Sequence, residues 1–166
     1  MPADKKKTKH VISVAILEDN VPTLKGLCME LDKPDIGIVA AHDELKPFLD
    51  DVKRCQPEIA VVDLRIRTSD TGGGYEAIRA LREISPQTRV IIYTAFEGLE
   101  HFHLGVNLGV KAFVSKHIHG VSVEKVIRIV SEGGTYYGDF MQQYLDKIKE
   151  MPQVAEMGET STASRC

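Results

Sequence analysis

Apolar and polar positions follow two rhythms that succeed one another from residue 11 to residue 134. "VISVAIL" (11–17) is an apolar run of strand length, as expected of a strand buried on both faces. "VPTLKGLCMELDK" (21–33) places Leu24, Leu27, Cys28 and Leu31 at helical spacing, and Pro34 blocks continuation. "IGIVAA" (36–41) reads as a second strand. "ELKPFLDDVKRC" (44–55) reads as a polar helix with Leu45, Phe48, Leu49 and Val52 on one stripe and Pro47 in its first turn. A third strand ends on Asp63; a polar loop holding three successive glycines follows, then a helix over Tyr75–Ile84 with Ala77, Ile78 and Leu81 inward. "RVIIYTA" (89–95) is strand four, 99–109 a short helix, and "KAFVSK" (111–116) strand five. "SVEKVIRIVSEGG" (122–134) makes a fifth helix, from a Ser122 N-cap to a Gly133–Gly134 stop. Five successive βα units predict an α/β fold, one parallel sheet covered by helices on both faces.

Beyond Gly134 the rhythm weakens. "YYGDFMQQYLDKIKE" (136–150) predicts one more helix with Phe140, Tyr144, Leu145 and Ile148 on one side, and the polar, aperiodic stretch after Pro152 is expected to be disordered. The organisation expected is a basic arm (1–10), one domain (11–134), a helix or linker (135–150) and a tail (151–166). Hydrophobic residues at 43% and charged ones at 27% suit a soluble globular chain. A net charge of −3 exerts no global pull on nucleic acid, so no such contact by this chain itself is expected. Cys28, Cys55 and Cys166 are odd in number and share no metal or disulfide spacing, which suits a reducing cytoplasm. No apolar run reaches membrane-spanning length and "MPADKKKTKH" lacks the apolar core of a signal peptide, so no membrane contact is expected either.

The polar residues at the strand ends change the picture. In a parallel sheet all carboxyl ends lie along one edge, and ligands bind in the crevice there. Glu18 and Asp19 follow strand one, Asp63 ends strand three, Thr94 ends strand four and Lys116 ends strand five. One carboxylate at a strand end is ordinary. Three acids, a hydroxyl and an ammonium brought to the same edge from distant parts of the chain form a candidate site.

In this order "LEDN", "VVDLR", "YTA" and "AFVSK" resemble the response-regulator receiver domain of two-component signalling, from Val11 to Gly134. "DLR", a lysine not followed by proline, and "SEGGTYY" resemble receivers of the NarL/LuxR type, which usually continue into a helix-turn-helix DNA-binding domain; the residues after 134 leave no room for one. The resemblance implies a flavodoxin-like, doubly wound five-stranded parallel sheet in order 2-1-3-4-5 with five helices, here with a C-terminal extension helix. It implies that Asp63 takes a phosphoryl group from a sensor histidine kinase in a Mg²⁺-dependent reaction. Glu18, Asp19, Asp63 and the Arg65 backbone carbonyl would hold the ion, whose charge offsets repulsion between the anionic partners. Lys116 would pair with a phosphoryl oxygen, Thr94 would move to bond another, and Phe113 would turn inward behind it. Arg65 and Phe96 would border the path of the hydrolytic water and prolong the phosphorylated state. Such a chain is a signalling switch that catalyses only its own phosphorylation and dephosphorylation, acting in transcription through an output partner or dimerisation.

The chain also departs from the family pattern. Arg67 stands where receivers usually carry proline, and "TSDTGGG" lengthens the following loop, whose glycines read as a flexible segment. The loop lacks the lysine of a phosphate-binding P-loop. His101 and His103 lie two apart on a helix and point apart, and His117 and His119 sit in a loop, so zinc is not expected. Two alternatives to the switch are an aspartate-nucleophile phosphatase and an interaction module with a silent site. The phosphatase lacks its second acid, because the residue two beyond Asp63 is Arg65, which cannot transfer protons. Finally, Ile129 lies off the core stripe of the fifth helix beside the aromatic "TYYGDF", which predicts a weak homodimer through the last helices, tightened by phosphorylation.

Overall fold

The computed structural model describes residues 9–67, 73–95, 98–117 and 121–150. The five expected strands are present: β1 (Ile12–Leu17), β2 (Ile36–His42), β3 (Ile59–Val62), β4 (Arg89–Thr94) and β5 (Ala112–Ser115). All pair in parallel in the order β2-β1-β3-β4-β5. The helices between them are α1 (Val21–Glu30), α2 (Leu45–Cys55), α3 (Gly73–Ile84), α4 (Leu99–Asn107) and α5 (Val123–Ser131), with α6 (Asp139–Glu150) after them.

Alternation along each strand divides the core into two layers. Leu17, Val62, Ile92 and Phe113 face α2, α3 and α4, whereas Ile16, Val61, Ile91 and Val114 face α1 and α5. Because both faces are covered, the central strand β3 is apolar throughout, which is why the sequence shows a continuous run there rather than alternation.

Local chemistry sets the helix ends. The Asn20 side chain accepts from the Thr23 N–H at 2.9 Å and opens α1, with Pro22 in the first turn where no backbone donor is needed. Ser122 caps α5 by accepting from the Lys125 N–H. α5 closes with Gly134 donating to the Ile129 carbonyl and Gly133, at φ +92°, donating to that of Val130, a Schellman arrangement.

Two readings from the sequence need correction. α3 starts at Gly73, two residues earlier than its apolar stripe predicts, so the last two glycines of the loop belong to the helix. A Cβ on Gly74 would lie 2.3 Å from the Asp63 carbonyl oxygen and 2.4 Å from the Leu64 Cα. Glycine is needed there for close backbone approach rather than for flexibility. The self-association patch is also largely absent from the surface. Ile129 is half-buried under Gly134, Tyr136 and Tyr137 pack onto the two core layers, and Phe140 is buried. Leu145 and Ile148 do remain exposed on α6.

Candidate functional site

Each polar strand end arrives where the topology sends it. Glu18 leaves β1 with its N–H bonded to the His42 carbonyl, and Asp63 leaves β3 with its N–H bonded to that of Leu17. The Lys116 N–H bonds to the Thr94 carbonyl, which ties the ends of β5 and β4 together. Glu18 is 1% exposed, Asp63 6% and Thr94 fully buried. Carboxylates so deep require partners, and they have them. The Lys116 ammonium donates to Glu18 Oε2 at 2.5 Å and to Asp63 Oδ2 at 2.9 Å. Glu18 Oε1 accepts from the Asn20 N–H, and Asp63 Oδ1 from the Arg65 N–H.

Burial pushes the Glu18 carboxyl above its ordinary range, against the opposing pull of Lys116. Burial alone would depress the Lys116 ammonium, but its hydrogen bonds to Glu18 and Asp63 outweigh that and raise it. Glu18, Asp19 and Asp63 each turn a carboxylate oxygen into one small volume, all within 4.8 Å of one another. Among the described residues no other group of acids, histidines or cysteines is placed to hold an ion. Three hard oxygens against one ammonium make an acidic pocket fit for a small divalent cation.

Arg65 is exposed at the mouth of this pocket, and Phe96 lies outside the described residues. Phe113 is 1% exposed, its ring enclosed by Phe102 and Phe140, so any inward turn starts from an already covered position. The two described histidines of α4 diverge as helical geometry requires. His101 meets the Tyr75 hydroxyl on α3, and His103 meets that of Tyr144 on α6.

Three contributors were missed at the sequence level. Asn20 both caps α1 and holds Glu18; its place just before Val-Pro carries the N-cap signal and could have revealed it. The Arg67 N–H donates to Asp19 Oδ2 at 3.0 Å, a bond that proline at this position could not make. The Tyr93 ring lies 5.3 Å from the Lys116 ammonium, and no one-dimensional pattern marks that pairing.

The family profile described as "Response regulator receiver domain" matches residues 14–128. This chain belongs to that family. Among curated relatives, the receiver is 22% identical to the oxygen regulatory protein NreC of Staphylococcus epidermidis over 154 residues, 92% of this chain and 69% of that one. It is 27% identical to the photosynthetic apparatus regulatory protein RegA of Cereibacter sphaeroides over 104 residues, 63% of this chain and 54% of RegA. The isolated REC domain of RcsB from Salmonella enterica serovar Typhimurium, solved with phosphomimetic BeF3−, matches at TM-score 0.73 and 15% identity, over 81% of this receiver and 99% of that domain. A LuxR-family response regulator from Aurantimonas sp. SI85-9A1 matches at TM-score 0.75 and 19% identity, over 84% and 99%. Such structural likeness shows the fold, and the receiver family accounts for an acidic pocket at this sheet edge. No described helix of the receiver is long and apolar enough to cross a membrane.

Proposed function

We propose that Asp63 accepts a phosphoryl group from the phosphohistidine of a sensor kinase and that the resulting acyl phosphate switches the conformation of the chain. One observation carries the reading: a nearly buried carboxylate at a strand end is already in contact with an ammonium and clustered with two further acids. In the reaction an Asp63 carboxylate oxygen attacks phosphorus while the phosphorus–nitrogen bond breaks. The imidazole nitrogen keeps the electron pair and takes up a proton. The Glu18, Asp19 and Asp63 carboxylates with the Arg65 carbonyl would hold Mg²⁺, which supplies the positive charge that anionic nucleophile and phosphoryl group need to approach.

The remaining steps belong to the chain's own side chains. Lys116 turns from Glu18 to a phosphoryl oxygen, Thr94 donates its hydroxyl to another, and Phe113 follows Thr94 across the sheet face. Arg65 stands beside the acyl phosphate, pairs with its oxygens and obstructs in-line water, which favours a slowly decaying signal. RcsB has been solved as two dimers bound to two parallel DNAs. A dimer tuned by phosphorylation, serving transcriptional output, belongs to the same proposal for this receiver.

The test is intact mass after incubation with Mg²⁺ and a small acyl phosphate. The wild type is expected to gain one phosphoryl group and Asp63→Asn none. Equal gain by the Asn variant would refute Asp63 as the acceptor.

A further inference from the structure

The segment after α5 is joined to the domain at two places of different kind. The first is backbone. Tyr136 forms a parallel bridge with Ala112, its carbonyl accepting from the Phe113 N–H at 2.8 Å and its N–H donating to Lys111. The second is aromatic. Phe140 on α6 is 4% exposed, stacks on Phe102 of α4 at 5.9 Å and sits 4.8 Å from the Phe113 ring. Tyr144, one turn further on, packs edge-on against Phe102 and bonds His103. Between the two attachments lies Gly138, at φ +54°, a left-handed turn that side-chain-bearing residues adopt with strain.

Phe113 therefore links α6 to the site. It lies on the short strand β5, three residues before Lys116, which directly follows that strand. Thr94 pairs with Ser115 and Ile92 with Phe113, so Thr94 and Phe113 stand on one face of the sheet, two residues apart in register. The Phe140 ring packs on Phe113 from that same side of the sheet.

We infer that α6 is an intramolecular cap on the α4–β5 face, seated when Asp63 is unmodified and released when it is phosphorylated, pivoting at Gly138 while the Tyr136 bridge holds. The inference rests on the phosphoacceptor reading above and adds to it a moving part and a direction. Release bares the Phe102 and Phe113 rings and converts a covered face into an apolar one. By thermodynamic reciprocity, anything that unseats α6 also favours the phosphorylated state.

The experiment is amide hydrogen exchange on the full chain with and without Mg²⁺ and acetyl phosphate, the phosphoryl content of each sample being read by intact mass. Peptides from 139–150 are expected to exchange several-fold faster in the phosphorylated protein, while those around Tyr136 stay protected. Phe140→Ala should show fast α6 exchange without any phosphoryl group and should take up phosphate at least as readily as the wild type. Should that variant fold poorly, Tyr144→Ala at its half-buried position gives the same comparison. Phosphoryl gain with α6 exchange unchanged or slowed overturns the cap alone. Absence of phosphoryl gain overturns the phosphoacceptor reading, and the release mechanism with it.

Discussion

Gly74→Ala is a single-methyl test of how α3 is held against the phosphoacceptor strand. The added Cβ would meet the Asp63 carbonyl oxygen at 2.3 Å, the Leu64 Cα at 2.4 Å and the Leu64 carbonyl carbon at 2.9 Å. All three are backbone atoms of the loop that presents Asp63, so no side chain can swing aside. Carbon atoms normally stay about 3.5–4.0 Å apart, so the start of α3 must retreat by roughly an ångström. The hydrogen bond from the Gly74 N–H to the Leu64 carbonyl, already 3.3 Å, does not survive such a shift. Overpacking costs about 1–3 kcal/mol and the lost bond about 1 more, while the helix propensity of alanine returns about 0.5–1. The expected loss of stability is about 1–3.5 kcal/mol, or about 3–10 °C in melting temperature for a domain of this size. Gly26→Ala is the control, because a Cβ there meets nothing within 4 Å and the substitution lies inside α1. It should be neutral or stabilising by about 0.5–1 kcal/mol. Urea denaturation of the three proteins, with phosphoryl uptake measured on each, makes the comparison. If Gly74→Ala matches Gly26→Ala in stability and the wild type in uptake, the close approach of α3 to Asp63 does not exist.

Glu18→Gln should stabilise the protein in chelator. The raised carboxyl of the wild type opposes folding once ionised, so the advantage of the variant is absent below about pH 4.5 and grows as pH rises through the folded-state value. Saturating Mg²⁺ should reverse the order by stabilising only the wild type, and thermal melts with and without the ion across that range decide it; an advantage that shrank with rising pH would contradict the sign. Thr94→Ala should accept phosphate almost normally yet respond weakly, since one hydrogen bond to a charged group contributes about 1.5–3 kcal/mol. A full change in the NMR spectrum on phosphorylation would place the switch elsewhere.

Much of the fold was legible because parallel strands buried on both faces leave uninterrupted apolar runs, and turn residues separate them. The candidate site was legible for a related reason: a parallel sheet sends every strand's carboxyl end to one edge, so Glu18, Asp63, Thr94 and Lys116 are brought together by topology alone. What stayed hidden depends on contacts that periodicity does not encode. Lys116 and Glu18, 98 positions apart, share a hydrogen bond whose existence depends on how the ammonium leans. Gly74 looked like a loop glycine because backbone approach leaves no trace in an apolar pattern. Tyr136, Tyr137 and Phe140 looked like an exposed aromatic patch because the chain's return across β5 and α4 is a tertiary event.

The bridge at Tyr136 also bears on solubility. β5 is the outermost strand on its side, and the outer rim of a sheet offers free N–H and C=O groups on which a strand from another molecule can add. Tyr136 takes the Phe113 N–H and the Lys111 carbonyl, and β5 itself is only four residues long, so little of that rim is left to recruit a stranger. A chain cut before Tyr136 would keep the whole sheet and the acidic pocket but bare a short apolar rim beside uncovered aromatic rings. Such a fragment is the form most exposed to strand-by-strand aggregation, and residues 136–150 guard the folded chain against it.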